Sequence, residues 1–195
     1  MRTGYFTGTY YVKRLFYLNI ILFLLSHFTT LGALLYGTFT LSQLLNPIQW
    51  VGHVFLHGGW MHLFGNMLTL LFFAPVVEQA LGSRKFLITY LIFGALSGIV
   101  QLLFNSTGIG LIGASGALFG ILTMAVLLQP TMKFFFGIPF KLIFYIIVVL
   151  EIFHTFQGFD GIGHIAHLSG AFLGLCLFIK LYGFNAKRWK RDYWF

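Results

Sequence analysis

Three groups of polar residues interrupt an otherwise apolar chain, and each could do chemistry. The first is His53, His57, His62 and Asn66. His53 to His57 and His62 to Asn66 are each four residues apart, so on a helix His62 and Asn66 share a face. Imidazole and amide N–H groups there can serve a reacting centre, or they can simply hydrogen-bond between helices. The second group is Gly113-Ala114-Ser115-Gly116, where a glycine-rich loop gives way to an apolar run. A serine at a helix N-terminus has unpaired backbone N–H groups and the positive end of the helix dipole beside it, which favours a developing oxyanion. The plainer reading is an N-cap serine. The third group is His164 and His167, followed by Gly170 and Gly174. Offsets of three and seven put His167, Gly170 and Gly174 on one helical face. Gly116 and Gly120 repeat that small-xxx-small spacing just after Ser115. Such faces let backbones approach closely, which predicts that the helices carrying Ser115 and His167 pack together.

The elements that position these groups must be membrane spans. The chain has 195 residues, 58% of them hydrophobic and 8% charged, against roughly 25% charge in a soluble domain. That composition excludes a water-soluble fold. No Asp, Glu, Lys or Arg occurs over 15–77 (63 residues) or 86–132 (47 residues). A helix needs about 20 residues to cross a hydrocarbon core of about 30 Å. Divided at polar and Gly/Pro-rich breaks, the runs predict an all-α membrane protein with six spans in one polytopic domain, 1–195. The spans cover about 15–36, 60–80, 86–104, 114–129, 141–156 and 162–182. The first is too long for a cleaved signal peptide, whose apolar region is usually about 7 to 15 residues. The connection Gly37–Gly59 carries Thr38, Thr40, Ser42, Gln43, Asn46, Pro47 and Gln49, so it should lie in or on the interface. Cys176 stands alone, which makes an intrachain disulfide impossible.

Charge supplies direction. Twelve Lys and Arg against Glu78, Glu151, Asp160 and Asp192 give a net charge of +8. With six spans, Arg2, Lys13, Arg14, Arg84, Lys85, Lys133, Lys141, Lys180, Lys187, Arg188, Lys190 and Arg191 all fall on one side. By the positive-inside rule that side, with both termini, is cytoplasmic, and Trp189 and Trp194 read as interface anchors. Basic groups placed between apolar segments orient helices; they do not form the solvated basic face of a nucleic-acid reader. Ser115, His167, His62 and Asn66 then all enter from the opposite side. At 16 residues, the fourth span is about 24 Å long against a core of about 30 Å. Ser115 would start below the outer surface, in a cavity that opens outward to water.

These residues resemble the rhomboid family of intramembrane serine proteases over most of the chain. His62-x-x-x-Asn66 is similar to the family's second-span motif, Gly113-Ala114-Ser115-Gly116 to its nucleophile motif, and Ala166-His167-x-x-Gly170-x-x-x-Gly174 to its general-base motif. Glu78-x-x-x-Gly82 is similar to a structural motif at the cytoplasmic end of the second span. The resemblance implies a six-helix rhomboid bundle and a dyad in which His167 takes the proton of Ser115, which attacks a peptide carbonyl within the membrane. It implies an oxyanion site made by the Ser115 N–H, His62 and Asn66. Gly113, Gly116, Gly170 and Gly174 would support the site, and Phe119 matches an aromatic position that packs on the catalytic imidazole, although it could be ordinary core. No cofactor or metal is implied; the expected partners are the bilayer and single-span substrates, in a bacterial inner membrane. No acidic residue belongs to a matched motif. Asp160 receives no role, and Glu151 is expected to snorkel or accept a hydrogen bond. One departure is that Gly37–Gly59 lacks the Arg of a Trp-Arg pair common in the family, which bears on how that connection packs.

Two other readings compete. A membrane metal or haem protein could use His53, His57, His62, His164 and His167 as ligands, but it leaves Ser115 unexplained and matches no H-E-x-x-H spacing. A catalytically inactive relative that binds membrane proteins need not keep Ser115 and His167.

Overall fold

The computed structural model describes residues 9–29, 39–104, 110–133, 137–157 and 162–183. Among them are seven α-helices: α1 (Tyr10–Phe28), a short α2 (Pro47–Gly52), α3 (Trp60–Leu81), α4 (Ser83–Phe104), α5 (Ser115–Leu128), α6 (Phe140–Thr155) and α7 (His164–Tyr182). Short 3-10 turns occupy Leu41–Gln43 and His53–Phe55. The described residues form no strand; isolated bridges join Phe39 to Leu111 and Lys133 to Pro139. Four helices, α1, α3, α4 and α7, are long and apolar enough to cross a membrane, and α5 is a shorter apolar helix. Asp160, Trp189, Trp194, Arg2 and the basic cluster after Tyr182 lie outside the described residues.

Helix α1 begins at Tyr10, five residues ahead of the expected start at Leu15. Lys13 and Arg14 end the apolar run in sequence but do not end the helix. The first backbone N–H groups of a helix have no intrahelical acceptor, and here a distant side chain supplies one. The buried Glu78 carboxylate of α3 accepts from Tyr10 N and Tyr11 N through Oε1, both at 2.8 Å, and from Val12 N through Oε2 at 2.9 Å. The dipole of α1 places positive potential at the same point, favouring the anion. Four residues on, Gly82 adopts a φ of +80° and donates its N–H to the Glu78 carbonyl, turning α3 into α4. The pair Glu78 and Gly82 thus joins three helices at one end.

Helix α5 sits at the centre. Ala117, Leu118, Ile121, Leu122, Met124, Ala125, Val126 and Leu128 are all buried, on every face of the helix, as expected of a helix that is apolar all round. Its glycines set the distance to α7. A Cβ on Gly170 would collide with the Gly116 carbonyl oxygen, and one on Gly174 with the Gly120 carbonyl oxygen. A Cβ on Gly116 would strike Ser97 Oγ and one on Gly120 the Phe93 ring, both from α4, with the Ala166 and Gly170 carbonyl oxygens of α7 at 3.5 and 2.9 Å.

The connection between α1 and α3 packs against the loop preceding α5. Phe39 N donates to Leu111 O (2.9 Å) and Leu111 N to Phe39 O (2.8 Å), while Gly113 N donates to His53 O (2.8 Å). His53 is held in turn: its Nδ1–H donates to Gln49 O (2.8 Å), its ring stacks on Phe39 at 5.0 Å, and a Cβ on Gly98 would lie 2.7 Å from that ring. Burial, only partly opposed by the bond to Gln49, pushes His53 down to about 4, so the imidazole stays neutral. Trp50 closes the segment by donating Nε1–H to Leu44 O (2.8 Å). These contacts build the connection without the Arg that the family pattern would supply.

The two constraints are separable in micelles by thermal or SDS unfolding. Replacing Glu78 with Ala, which strands three N–H donors, should cost about 2–4 kcal/mol, and Glu78→Gln less, since one amide oxygen still accepts. Equal stability of Glu78→Ala and wild type would refute the cap. Gly170→Ala should lower the midpoint and separate α5 from α7. Gly65→Ala, where nothing lies within 4 Å of the new methyl, should be neutral or stabilise by up to about 1 kcal/mol.

Candidate active site

Ser115 is the first residue of α5, and the cap position belongs to Ala114 (φ −76°, ψ −7°), so the serine hydroxyl is not spent on capping the helix. Its Oγ lies 2.8 Å from His167 Nε2. The loop before it is fixed by Gly113, whose φ of +117° and N–H bond to His53 O turn the chain sharply into the helix. Only glycine fits there, because a Cβ would come within 2.6 Å of the His62 ring. The Ser115 N–H is one of the unpaired donors at the positive end of α5.

His167 belongs to the first turn of α7, and three elements fix it. Its own N–H bonds to Gly163 O at 3.0 Å. From α4, Gln101 Oε1 accepts the N–H of the preceding residue, Ala166, at 2.9 Å. From α5, the Phe119 ring lies parallel to the imidazole, 4.3 Å away and inclined by 5°. The far nitrogen, Nδ1, lies 3.0 Å from Glu151 Oε2 of α6, an ion-pair distance without hydrogen-bond alignment. His164 Nδ1–H donates to the same Oε2 at 2.6 Å.

The second-span residues occupy the start of α3. Asn66 is buried and its Nδ2 has no hydrogen-bond partner among the described residues, and it lies close to the loop before Ser115, since a Cβ on Gly113 would be 3.8 Å from Asn66 Nδ2. An amide donor left unmade in a buried place costs stability unless something arrives to accept from it. His57 packs edge-on against His62 at 5.1 Å. Burial first, and the neighbouring His62 second, push His57 down to about 3 despite a backbone bond at Phe55.

The structure therefore gathers Ser115, His167, Phe119, His62 and Asn66 about one point, with Gly113 shaping the loop and Gly116, Gly170 and Gly174 setting the approach of α5 to α7. His53 is separate, serving the connection beneath the nucleophile loop. Sequence reasoning misses Gln101 and Ser97, single polar residues in an apolar helix with no spacing signal. It also gives no specific partner to Glu151, which accepts from His164 and approaches His167. Glu151, His164 and His167 place their ligand atoms within 4.8 Å of one another. That spacing could suit a small cation, but here the carboxylate oxygen itself sits between the two ring nitrogens.

The family model described as the Rhomboid domain matches residues 43–184. The chain is 32% identical to RHOMBOID-like protein 1 of Arabidopsis thaliana over 146 residues, covering 72% of this chain and 37% of that protein. It is 35% identical over 68 residues to the putative rhomboid protease YdcA of Bacillus subtilis, covering 35% of this chain and 34% of that one. Against the rhomboid protease GlpG of Yersinia pseudotuberculosis it is 26% identical over 137 residues, 70% of this chain and 49% of the other. The chain spans half or less of the length of these curated relatives. With the Rhomboid domain covering most of its length, the chain belongs to the rhomboid family.

Proposed function

We propose that this protein is an intramembrane serine endopeptidase that cleaves single-span membrane proteins in the outer part of the bilayer with a Ser115–His167 pair. The observation that carries the reading is the 2.8 Å contact between Ser115 Oγ and His167 Nε2 at the start of a buried helix. A serine hydroxyl is a weak nucleophile until a positioned base takes its proton. Nε2 accepts that proton as Oγ attacks the carbonyl carbon, and His167 then returns it to the leaving amine. Water, activated by the same imidazole, releases the acyl group. The Ser115 N–H, His62 and Asn66 are the proposed donors to the oxyanion, supported by the unpartnered Asn66 Nδ2 beside the nucleophile loop. Phe119 holds the plane of the base by stacking.

The topology proposed with this chemistry has six crossings, α1 and α3 to α7, both termini cytoplasmic and the site facing outward in a bacterial inner membrane. Its supports are the one-sided Lys and Arg and the four long apolar helices. A substrate helix shields its own carbonyls through intrahelical hydrogen bonds, so cleavage should favour segments weakened by Gly, Pro or polar residues.

Purified protein in liposomes, incubated with a single-span substrate, should cleave it. Ser115→Ala and His167→Ala should each abolish cleavage, and Asn66→Ala should lower kcat by about 10²- to 10³-fold. Activity surviving Ser115→Ala would refute the reading. For topology, a reporter fused after Phe195 should be active in the cytoplasm; periplasmic activity would reverse the orientation.

A further inference from the structure

On the serine-protease reading, the partly buried Glu151 has no part in the chemistry. It stands in α6, an apolar helix, with its side chain 14% exposed. An ionised carboxylate in such surroundings is costly unless it is paired or accepts hydrogen bonds. Its Oε2 faces two imidazoles, His164 Nδ1 at 2.6 Å and His167 Nδ1 at 3.0 Å. For His167 Nε2 to take the Ser115 proton it must be unprotonated, which puts the neutral ring's single proton on Nδ1. Nδ1 is the atom that faces Glu151. At rest the carboxylate is aligned with His164 and only near His167. When Nε2 receives the serine proton, the ring becomes a cation, and the carboxylate 3.0 Å away then acts on a full charge.

We propose that Glu151 is the positioning residue of the catalytic base: it holds His167 in the Nδ1-protonated tautomer and stabilises the imidazolium formed as Ser115 attacks, completing a Ser–His–Glu relay across α5, α7 and α6. The proton balance is that of Ser115 and His167 alone. The Oγ–H bond breaks, Nε2–H and Oγ–C bonds form, and Glu151 stays ionised throughout. His164 anchors the carboxylate through its own Nδ1–H. Because the charge that Glu151 meets appears only as the reaction proceeds, its loss should fall on kcat and spare KM.

Among the described residues, the groups that face His167 are Ser115 of α5, His62 of α3, Glu151 of α6 and His164 of α7, with His154 of α6 behind His164 at 5.3 Å. Of these, Glu151 supplies the negative charge. In Glu151→Gln that charge is removed while the side chain keeps its size and shape. The same variant should lose about 10- to 10³-fold in kcat with KM within about twofold, short of the ~10⁴ that a misheld tautomer can cost. A kcat within threefold of wild type, or a loss carried by KM instead, would overturn the proposal. Histidine ¹⁵N NMR of the full chain in micelles reads the same pairing without turnover. It should show His167 protonated on Nδ1 in the wild type and the neutral ring shifted toward Nε2–H in Glu151→Gln; an unchanged tautomer overturns the proposal even if the protein cleaves nothing. Cleavage that survives Ser115→Ala would instead refute the serine-protease reading and leave the NMR result to judge Glu151. Activity lost in EDTA and restored by Zn²⁺ would assign the three side chains to a metal and overturn the relay.

Discussion

The contact between the backbones of α5 and α7 is the constraint on which the site depends. Two helices whose carbonyls and Cα atoms meet directly leave no freedom in their separation, and here Gly170 rests on the Gly116 carbonyl and Gly174 on that of Gly120. Ser115 precedes Gly116 by one residue and His167 precedes Gly170 by three. The Oγ to Nε2 distance is therefore set by backbone geometry within one helical turn of Ser115 and of His167. In a bilayer, where lipid and side chains are equally apolar, such packing and hydrogen bonding must do what hydrophobic burial does in water. A methyl group at either glycine would be felt at the hydroxyl.

Polar groups serve as the other fasteners, each answering an orphaned backbone group. Glu78 accepts three N–H groups at the start of α1, Gln101 accepts one at the start of α7, and His53 offers its carbonyl to Gly113. Helix starts are where backbone donors go unpaired, and away from water each would otherwise be a cost. These long-range polar bonds lie at or just before helix starts, and two of them lie within two residues of Ser115 or His167.

The neighbourhood of His167 joins both effects. Phe119 fixes the plane of the ring and leaves its two nitrogens in different surroundings: Nε2 meets a hydroxyl, Nδ1 a carboxylate. An imidazole between a neutral proton donor and an anion is prepared to gain charge on one side and have it balanced on the other. The proposed relay follows from that asymmetry.

Much of this is legible in the order of residues along the chain. Charge-free runs indicate apolar helices, and the glycine spacing after Ser115 and His167 indicates which two touch, because a helical face repeats every three to four residues and local spacing reports it. His62, Asn66, Ser115 and His167 stand out because polar groups are rare in such runs. The start of α1 is not legible in this way, since its cap comes from Glu78, 66 to 68 residues away in sequence. Ser115 could equally be a cap by sequence; only its helix register and the position of His167 decide otherwise. Glu151 carries no spacing relation to His167, because the two lie on different helices whose rotation and depth are fixed by packing. Sequence alone determined which side chains could react and which helix faces carry them. Tertiary structure decided which nitrogen meets which oxygen, because that depends on distances between helices, and no periodicity within one helix encodes them.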